Sequence, residues 1–337
     1  MSIVMQYIKV IFFTVCILIL IYYIQLPVIE GISFKEKCMV DGLNRNNIKI
    51  DRDNKILIKD GINIKYNRNF NTKTGLKNCN DKIKTNNLLV KHNIPMPKSY
   101  IWNNSLTMKN NINSINHLKY PLVIKPNKGT QGYGVTTNIK NENQLTKVVN
   151  DLLQKTKNTM KNIIVEEHYT GDNYRVMVFN NEVMGIVKRD NPYVLGNGKS
   201  TLKNLIKNHK QSKHKIHEID IPYIKSQNVD LDTVIPANEK IIVSKVNNYH
   251  NGAPIYNVPL TQVHPDNIEM FKKAAQALNI NLTGIDYMTK NLMTPYHIDG
   301  VIIEANEFPD LTMHCDSSTS IHKNAFIDNF LNKLFNT

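Results

Sequence analysis

Two stretches of the chain hold residues whose types and spacing suit chemistry on a polyanion. The first is Asn127-Lys128-Gly129-Thr130-Gln131-Gly132-Tyr133-Gly134, directly after Ile124-Lys125-Pro126. Gly129, Gly132 and Gly134 let the backbone fold close to a phosphate group and offer it N–H groups. Lys125 ends an apolar run and could hold a phosphate as a point charge. The Gly-Lys-Ser/Thr ending of a Walker loop is missing, and no Rossmann helix opens here. The second stretch is acidic. Asp286 lies in Gly284-Ile285-Asp286-Tyr287, and Glu304 and Asn306 lie in Ile302-Ile303-Glu304-Ala305-Asn306. Two apart on a strand, Glu304 and Asn306 face the same side. Oxygen ligands on neighbouring strands are what Mg²⁺ bridging nucleotide phosphates needs. Each stretch alone also has a plainer reading: an ordinary hairpin, and strand-end acids paired with lysines.

The elements that must position these residues read as a mixture of helices and antiparallel strands. Ile56-Leu57-Ile58 and Ile62-Asn63-Ile64 flank Lys59-Asp60-Gly61, a hairpin signal. Residues 81–92 read as a helix stopped before Pro95 and Pro97. Residues 120–126 and 163–167 read as buried strands, and 144–153 as a helix. Residues 174–187 hold two strands around Asn180-Asn181. Residues 201–209 and 267–278 read as helices, and 285–288 and 300–305 as strands ending in acids. The fold class is α+β, and no internal repeat is present.

With 337 residues the chain can bury a sizeable core, and 41% hydrophobic and 21% charged residues exclude wholesale disorder. The formal charge of +14 suits an anionic ligand without choosing one. An excess of Asn, Ile and Lys resembles AT-rich coding, which discounts that charge as a functional signal. Four dispersed cysteines without a CxxC pair argue against a disulfide framework and for a reducing compartment. Residues 10–24 are apolar apart from Thr14, and Leu26, Val28 and Ile29 extend the run. That length just spans a bilayer. The competing reading, a cleaved signal peptide, lacks a small-x-small site, so a retained transmembrane helix is expected. Lys35, Lys37, Arg45 and Lys49 outnumber Lys9, which places the C-terminal bulk in the cytoplasm.

Several residues have bland readings. The His214-Lys215-Ile216-His217-Glu218 spacing lacks partners for a tetrahedral zinc site. The lysines of 207–215 lack interleaved aromatics, so a solvated face is expected rather than nucleic-acid binding. Cys315 and Trp102 are expected to be packed side chains.

The order of motifs resembles the ATP-grasp superfamily. In particular it resembles the ATP-grasp module of cyanophycin synthetases and the glutathione-synthetase part of bifunctional glutathione enzymes. Asp81-Lys82 and Ile94-Pro95-Met96-Pro97 come first, then Pro121-Leu122-Val123-Ile124-Lys125-Pro126 with its glycine loop. Val165-Glu166, Gly171, Arg175, Lys188-Arg189 and Gly196-Asn197-Gly198-Lys199-Ser200-Thr201 follow. His217-Glu218, Val263-His264-Pro265, Gly284-Ile285-Asp286 and Glu304-Ala305-Asn306 complete the series.

The resemblance implies two α+β subdomains whose antiparallel sheets grip ATP. Its expected layout is an anchor over 1–30, a short β-rich region over 31–80 and the ATP-grasp domain over 81–337. Lys82 and Lys125 then match lysines on the phosphates, and Gly129, Gly132 and Gly134 the loop closing over them. Glu166 opens the adenine-binding segment, and Asn173 stands where relatives hold ribose with an acid. Asp286, Glu304 and Asn306 match ligands of Mg²⁺, with Mn²⁺ as the alternative. Arg175 and Arg189 match the catalytic arginines near the transferred phosphate or acyl group. The implied activity is an ADP-forming carboxylate–amine ligase acting on an amino acid or short peptide through an acyl phosphate. The alternative is an inactive, membrane-anchored nucleotide-binding scaffold; homo-oligomerisation is left open. Two departures set the chain apart. The peptide-ligase module that follows in cyanophycin synthetases is not expected here. The Asn247-Asn248-Tyr249-His250-Asn251-Gly252-Ala253-Pro254 segment only partly matches, Ser244 replaces an arginine, and Asp310 and Thr312 replace a glycine and an arginine. These segments are expected to border the acceptor site.

Overall fold

The computed structural model describes residues 36–66, 70–129, 134–156, 162–316 and 324–336. The apolar run over 10–29 and Gly132 lie outside these residues. Among the described residues, no helix is long and apolar enough to cross a membrane. The helices are α1 (Lys37–Arg45), α2 (Lys73–Cys79), α3 (Lys82–Lys91), α4 (Met108–Ser114) and α5 (Glu142–Lys155). They continue with α6 (Leu202–Lys207), α7 (Ile221–Ser226), α8 (Pro265–Ala277), α9 (Met313–Asp316) and α10 (Ala325–Phe335).

Two antiparallel sheets carry the site. The four-stranded sheet has the order β4 (Ser99–Trp102), β7 (Ile163–Glu167), β5 (Leu122–Pro126), β6 (Thr136–Ile139). Every residue of β5 is buried, and Leu145, Val149 and Leu152 of α5 join its core. Trp102 packs there too, as the sequence suggests. The five-stranded sheet has the order β12 (Ile255–Val258), β9 (Glu182–Arg189), β8 (Asp172–Phe179), β13 (Leu282–Thr289), β14 (Val301–Asn306). Its hairpin β8–β9 turns on Asn180 and Asn181, both at positive φ (44° and 63°), the geometry a two-residue turn requires. A smaller pair, β10 (Tyr193–Leu195) with β11 (Lys240–Ile242), packs with α6 and α7 around Val194, Leu202 and Ile224.

Alternation along the five-stranded sheet decides what each face does. Tyr174, Val176 and Val178 share one core with Ile186, Ile285 and the apolar stripe Met270, Phe271 and Ala274 of α8. Met177, Phe179, Met184 and Leu282, on the opposite face, pack with α10 and α1. Arg175 and Asn173 continue that second face along β8. The same pleat is therefore apolar at one end and ionised at the other.

The region before Lys73 is not set apart from this body. Its three strands, β1 (Lys49–Asp51), β2 (Ile56–Lys59) and β3 (Ile62–Lys65), form the expected hairpin around Asp60 and Gly61. Met39 and Leu43 of α1 share a core with Ile327, Phe330 and Leu331 of α10. Arg45 clasps Asp328 of α10 at 2.9–3.2 Å.

One expectation is corrected here. Cys38 on α1 is bonded to Cys315 on α9, across a separation of 277 residues. Cys315 is buried, but as half of a disulfide rather than as a free thiol. Dispersed cysteines signal nothing along the chain, because a bridge needs proximity in space. Cys79 is free, and burial pushes its thiol well above the ordinary range. Non-reducing peptide mapping should recover one peptide pair joining Cys38 to Cys315. Cys38→Ser should then lower stability in urea by about 2–4 kcal/mol; recovery of both thiols free would overturn the assignment.

Candidate active site

A cleft of about 360 Å³ opens between the two sheets. β5 and β7 contribute Lys125 and Glu166; β8, β9, β13 and β14 contribute Asn173, Arg175, Arg189, Asp286, Glu304 and Asn306. Lys82 enters from the first turn of α3 and Gly129 from the glycine loop. The structure thus brings together the described site residues expected from the sequence except Gly134, which turns at positive φ (71°) beside Pro126 and Leu152 and does not line the cleft.

Local geometry explains the placement. Asp81 caps α3 by accepting from Lys84 N at 3.1 Å. Asn127, buried just past β5, accepts from Ile83 N at 2.9 Å and fixes the same helix start. Lys82 and Lys125 are therefore tied into one unit. Lys82 Nζ reaches Glu304 Oε1 and Gly129 O, both at 3.0 Å. Lys125 Nζ meets Glu166 Oε1 at 2.7 Å and Ile303 O at 3.2 Å. That carbonyl is available because the β13–β14 register slips beside Asp286 and leaves Ile303 as an extra residue.

Asp286 stands opposite Arg175 on β8 and opposite Glu304 on β14. Arg175 Nε lies 2.6 Å from Asp286 Oδ1, and Arg189 Nη2 lies 2.9 Å from Oδ2. The Arg175 contact is an ion pair outside hydrogen-bond geometry. Gly284 makes room for it, since a Cβ there would come within 2.5 Å of the Arg175 guanidinium. Arg189 also donates to Asn173 Oδ1 from Nε (2.8 Å) and Nη2 (2.5 Å). The Asn173 oxygen is committed to that guanidinium, a contact the sequence does not announce. Burial pulls the Arg189 pKa down, Asp286 opposes it and Arg175 reinforces it.

The cation implied by the resemblance finds a fitting donor set: two carboxylates and an amide, all oxygen. Asn306 Nδ2 donates to Gly284 O at 3.3 Å, which leaves its Oδ1 as the donor for a cation. Asp286 Oδ1 is fully buried without a hydrogen bond. Among the described residues, no three of His, Cys, Asp and Glu cluster as a cation site, so Asn306 is needed to complete one.

Sequence reading misses how the far wall of the cleft is built. This wall runs over residues 245–250 and includes Met313. Asn247 Nδ2 donates to Arg189 O at 2.9 Å, joining the wall to β9. Lys245 Nζ sits 4.2 Å over the Tyr223 ring. His250 Nε2 lies 3.8 Å from Asp310 Oδ2. His168, two residues after Glu166, has its pKa lowered by burial and then by Lys245. The departures at 247–254 and at Asp310 were the available signal.

The chain is similar to known proteins. Cyanophycin synthetase of Synechocystis sp. is 27% identical over 263 residues, covering 74% of this chain and 30% of that protein. The glutathione biosynthesis bifunctional protein of Clostridium perfringens is 26% identical over 302 residues, covering 82% of this chain and 38% of its own. The chain thus spans about a third of the length of these curated relatives. The crystal structure of a bifunctional glutathione synthetase from Pasteurella multocida superposes with a TM-score of 0.64 at 18% identity, covering 92% of this chain and 45% of that one. That likeness establishes the ATP-grasp fold. Residues 79–252, just over half of the sequence, match the RimK-like ATP-grasp domain, and the chain belongs to that family.

Proposed function

We propose that this chain is an ADP-forming carboxylate–amine ligase acting on an amino acid or short peptide. The observation that carries the reading is the convergence of four cations, Lys82, Lys125, Arg175 and Arg189, with three carboxylates in one cleft. Such a set holds a polyphosphate and the charge that develops when its terminal phosphoryl group moves. A carboxylate oxygen attacks the γ-phosphorus, ADP leaves, and an acyl phosphate forms. The amine then displaces phosphate from the acyl carbon. Lys82 and Lys125 hold phosphate oxygens, and Arg175 and Arg189 steady the transferred group and the acyl oxygen. Asp286, Glu304 and Asn306 would hold Mg²⁺, which when bound would supply charge neutralisation. The chain contributes mainly position and preset charge, both large terms in such reactions.

One observation favours a second reading, a nucleotide-binding scaffold. Both oxygens of Asp286 already face arginine, so a cation must share that carboxylate. ADP release separates the two. The ligase releases ADP with Mg-ATP and a pool of amino acids and short peptides, and Glu304→Ala abolishes the pool-dependent part. Tight Mg-dependent ATP binding without turnover would favour the scaffold.

Nucleotide binding is tested at Lys125. Lys125→Ala should weaken binding of a non-hydrolysable ATP analogue by about 10- to 100-fold, the size of a charge-assisted contact. It also leaves Glu166 buried without its partner, which costs on the order of 3–5 kcal/mol of stability. The double variant Lys125→Ala/Glu166→Gln removes that stranded charge. Unchanged affinity in both variants would refute the assignment.

The apolar run over 10–29 supports a single-pass anchor, and the flanking lysines support a cytoplasmic catalytic domain. The Cys38–Cys315 bond pulls the other way, because disulfides persist in oxidising compartments. Full-length protein should resist carbonate extraction from membranes; release into the supernatant would end the anchor. Protease protection of sealed vesicles then reads the orientation directly.

A further inference from the structure

Amine attack on an acyl phosphate needs a free amine, yet alkyl amines are protonated at neutral pH. None of the lysines or arginines in the cleft serves as a base while it holds an anion. The far wall offers one group that can. The His250 side chain lines the cleft, is 40% exposed and is therefore within reach of a bound acceptor. It sits on the short turn Tyr249–Asn251, which Asn248 caps by accepting from His250 N at 2.9 Å. Three residues earlier, Asn247 is bonded to the backbone of Arg189. The imidazole and the guanidinium assigned to the acyl group thus belong to one tied wall.

The surroundings of His250 hold the ring in place. Asp310 Oδ2 faces its Nε2 at 3.8 Å, too long for a hydrogen bond but close enough to orient the ring. Asp310 is itself fixed, because its Oδ1 accepts from Thr312 N at 2.9 Å and from the Thr312 hydroxyl at 2.7 Å. His214 packs edge-on at 4.9 Å between ring centres and Tyr249 at 5.2 Å. Behind them, Asp316 accepts from Tyr249 and pairs with Lys213 at 3.1 Å, and Lys213 also pairs with Glu36. Burial, then His250 and Lys213, hold His214 below the ordinary imidazole range. His214 is therefore the neutral neighbour, and Asp310 is the anion nearest the exposed ring. Lys82, Lys125, Arg175, Arg189 and Lys245 are the cations lining the cleft.

We propose that His250 is the general base for the acceptor amine and that Asp310 is the positioning residue that orients its ring. This rests on the ligase reading above. The ammonium gives one proton to the imidazole. Its nitrogen lone pair forms the C–N bond, the bond between acyl carbon and phosphate oxygen breaks, and phosphate leaves with that electron pair. The second nitrogen proton goes to the departing phosphate, and His250 returns its proton to solvent. Imidazole is the side chain suited to both transfers near neutral pH.

Hydroxylamine tests this, because it is already unprotonated at neutral pH and traps acyl phosphates without a base. Full-length protein is given Mg-ATP and the amino-acid and peptide pools, with and without hydroxylamine. His250→Gln should form hydroxamate within about twofold of the unmodified protein. Its amine ligation at pH 7 should fall about 100-fold, in the usual range for a lost general base, and recover as pH rises toward the amine's own pKa. His250→Ala should regain amine ligation with added imidazole, and Asp310→Asn should lower amine ligation several-fold while hydroxamate formation falls no further than in His250→Gln. Equal loss of hydroxamate and amide formation without imidazole rescue would make His250 structural and overturn the proposal. So would amide formation that His250→Gln leaves unchanged. No hydroxamate and no ADP from the unmodified protein would instead sink the ligase reading, and the base with it.

Discussion

The carboxylate of Asp286 is the point on which the cleft depends. Two guanidiniums from adjacent strands close on its two oxygens, at 2.6 and 2.9 Å, with all three side chains nearly buried. Burying one of these charges alone would cost several kcal/mol. The triplet is tolerable only because β8, β9 and β13 hold the charges in register, so the sheet must be rigid before the site can exist. The packing answers that demand. The face opposite the arginines is sealed by α8, and their own face is sealed beyond Met177 by α10 and α1.

The triplet also sets what the cleft can receive. Lys82 and Lys125 are each answered by a glutamate, while Asp286 must serve two arginines. One positive charge is left over at the centre, and Lys245 adds another on the far wall. A polyanion entering with a divalent cation leaves the site close to balanced; a cationic ligand there would face uncompensated repulsion. The same charges distinguish the two walls. Asp310, fixed by Thr312, puts an anion behind the far wall, while the end that holds the arginines stays positive.

Much of this was legible in the sequence because it is local. The Asp60-Gly61 and Asn180-Asn181 turns carry their own conformational signature, and both hairpins form where that signature falls. Helix α3 begins at Asp81, which caps it, one residue from where Lys82 is needed. Asp286, Glu304 and Asn306 could be placed on strands, and with Lys82 and Lys125 they do share the cleft. What was not legible depends on pairing between distant segments. The Ile327, Phe330, Leu331 and Leu334 stripe of α10 has helical spacing, but nothing in it names α1 as its partner. Cys38 and Cys315 follow from that same packing, since α1 and α9 meet only once the body is assembled. The bulge at Ile303 is a register event, invisible until β13 and β14 pair.

Asn173 shows what a motif position gains once its neighbours across the sheet are known. Its position matched an acid on ribose, which made the missing charge look like a loss. On the sheet it stands opposite Arg189, and its oxygen receives two N–H groups of that guanidinium. A carboxylate at this position would have drawn Arg189 away from Asp286 and left Arg175 to hold that carboxylate alone. The neutral amide orients the arginine without competing for its charge. The amide therefore preserves the bridge on which the cleft is built, and it belongs to the electrostatics of the arginine pair.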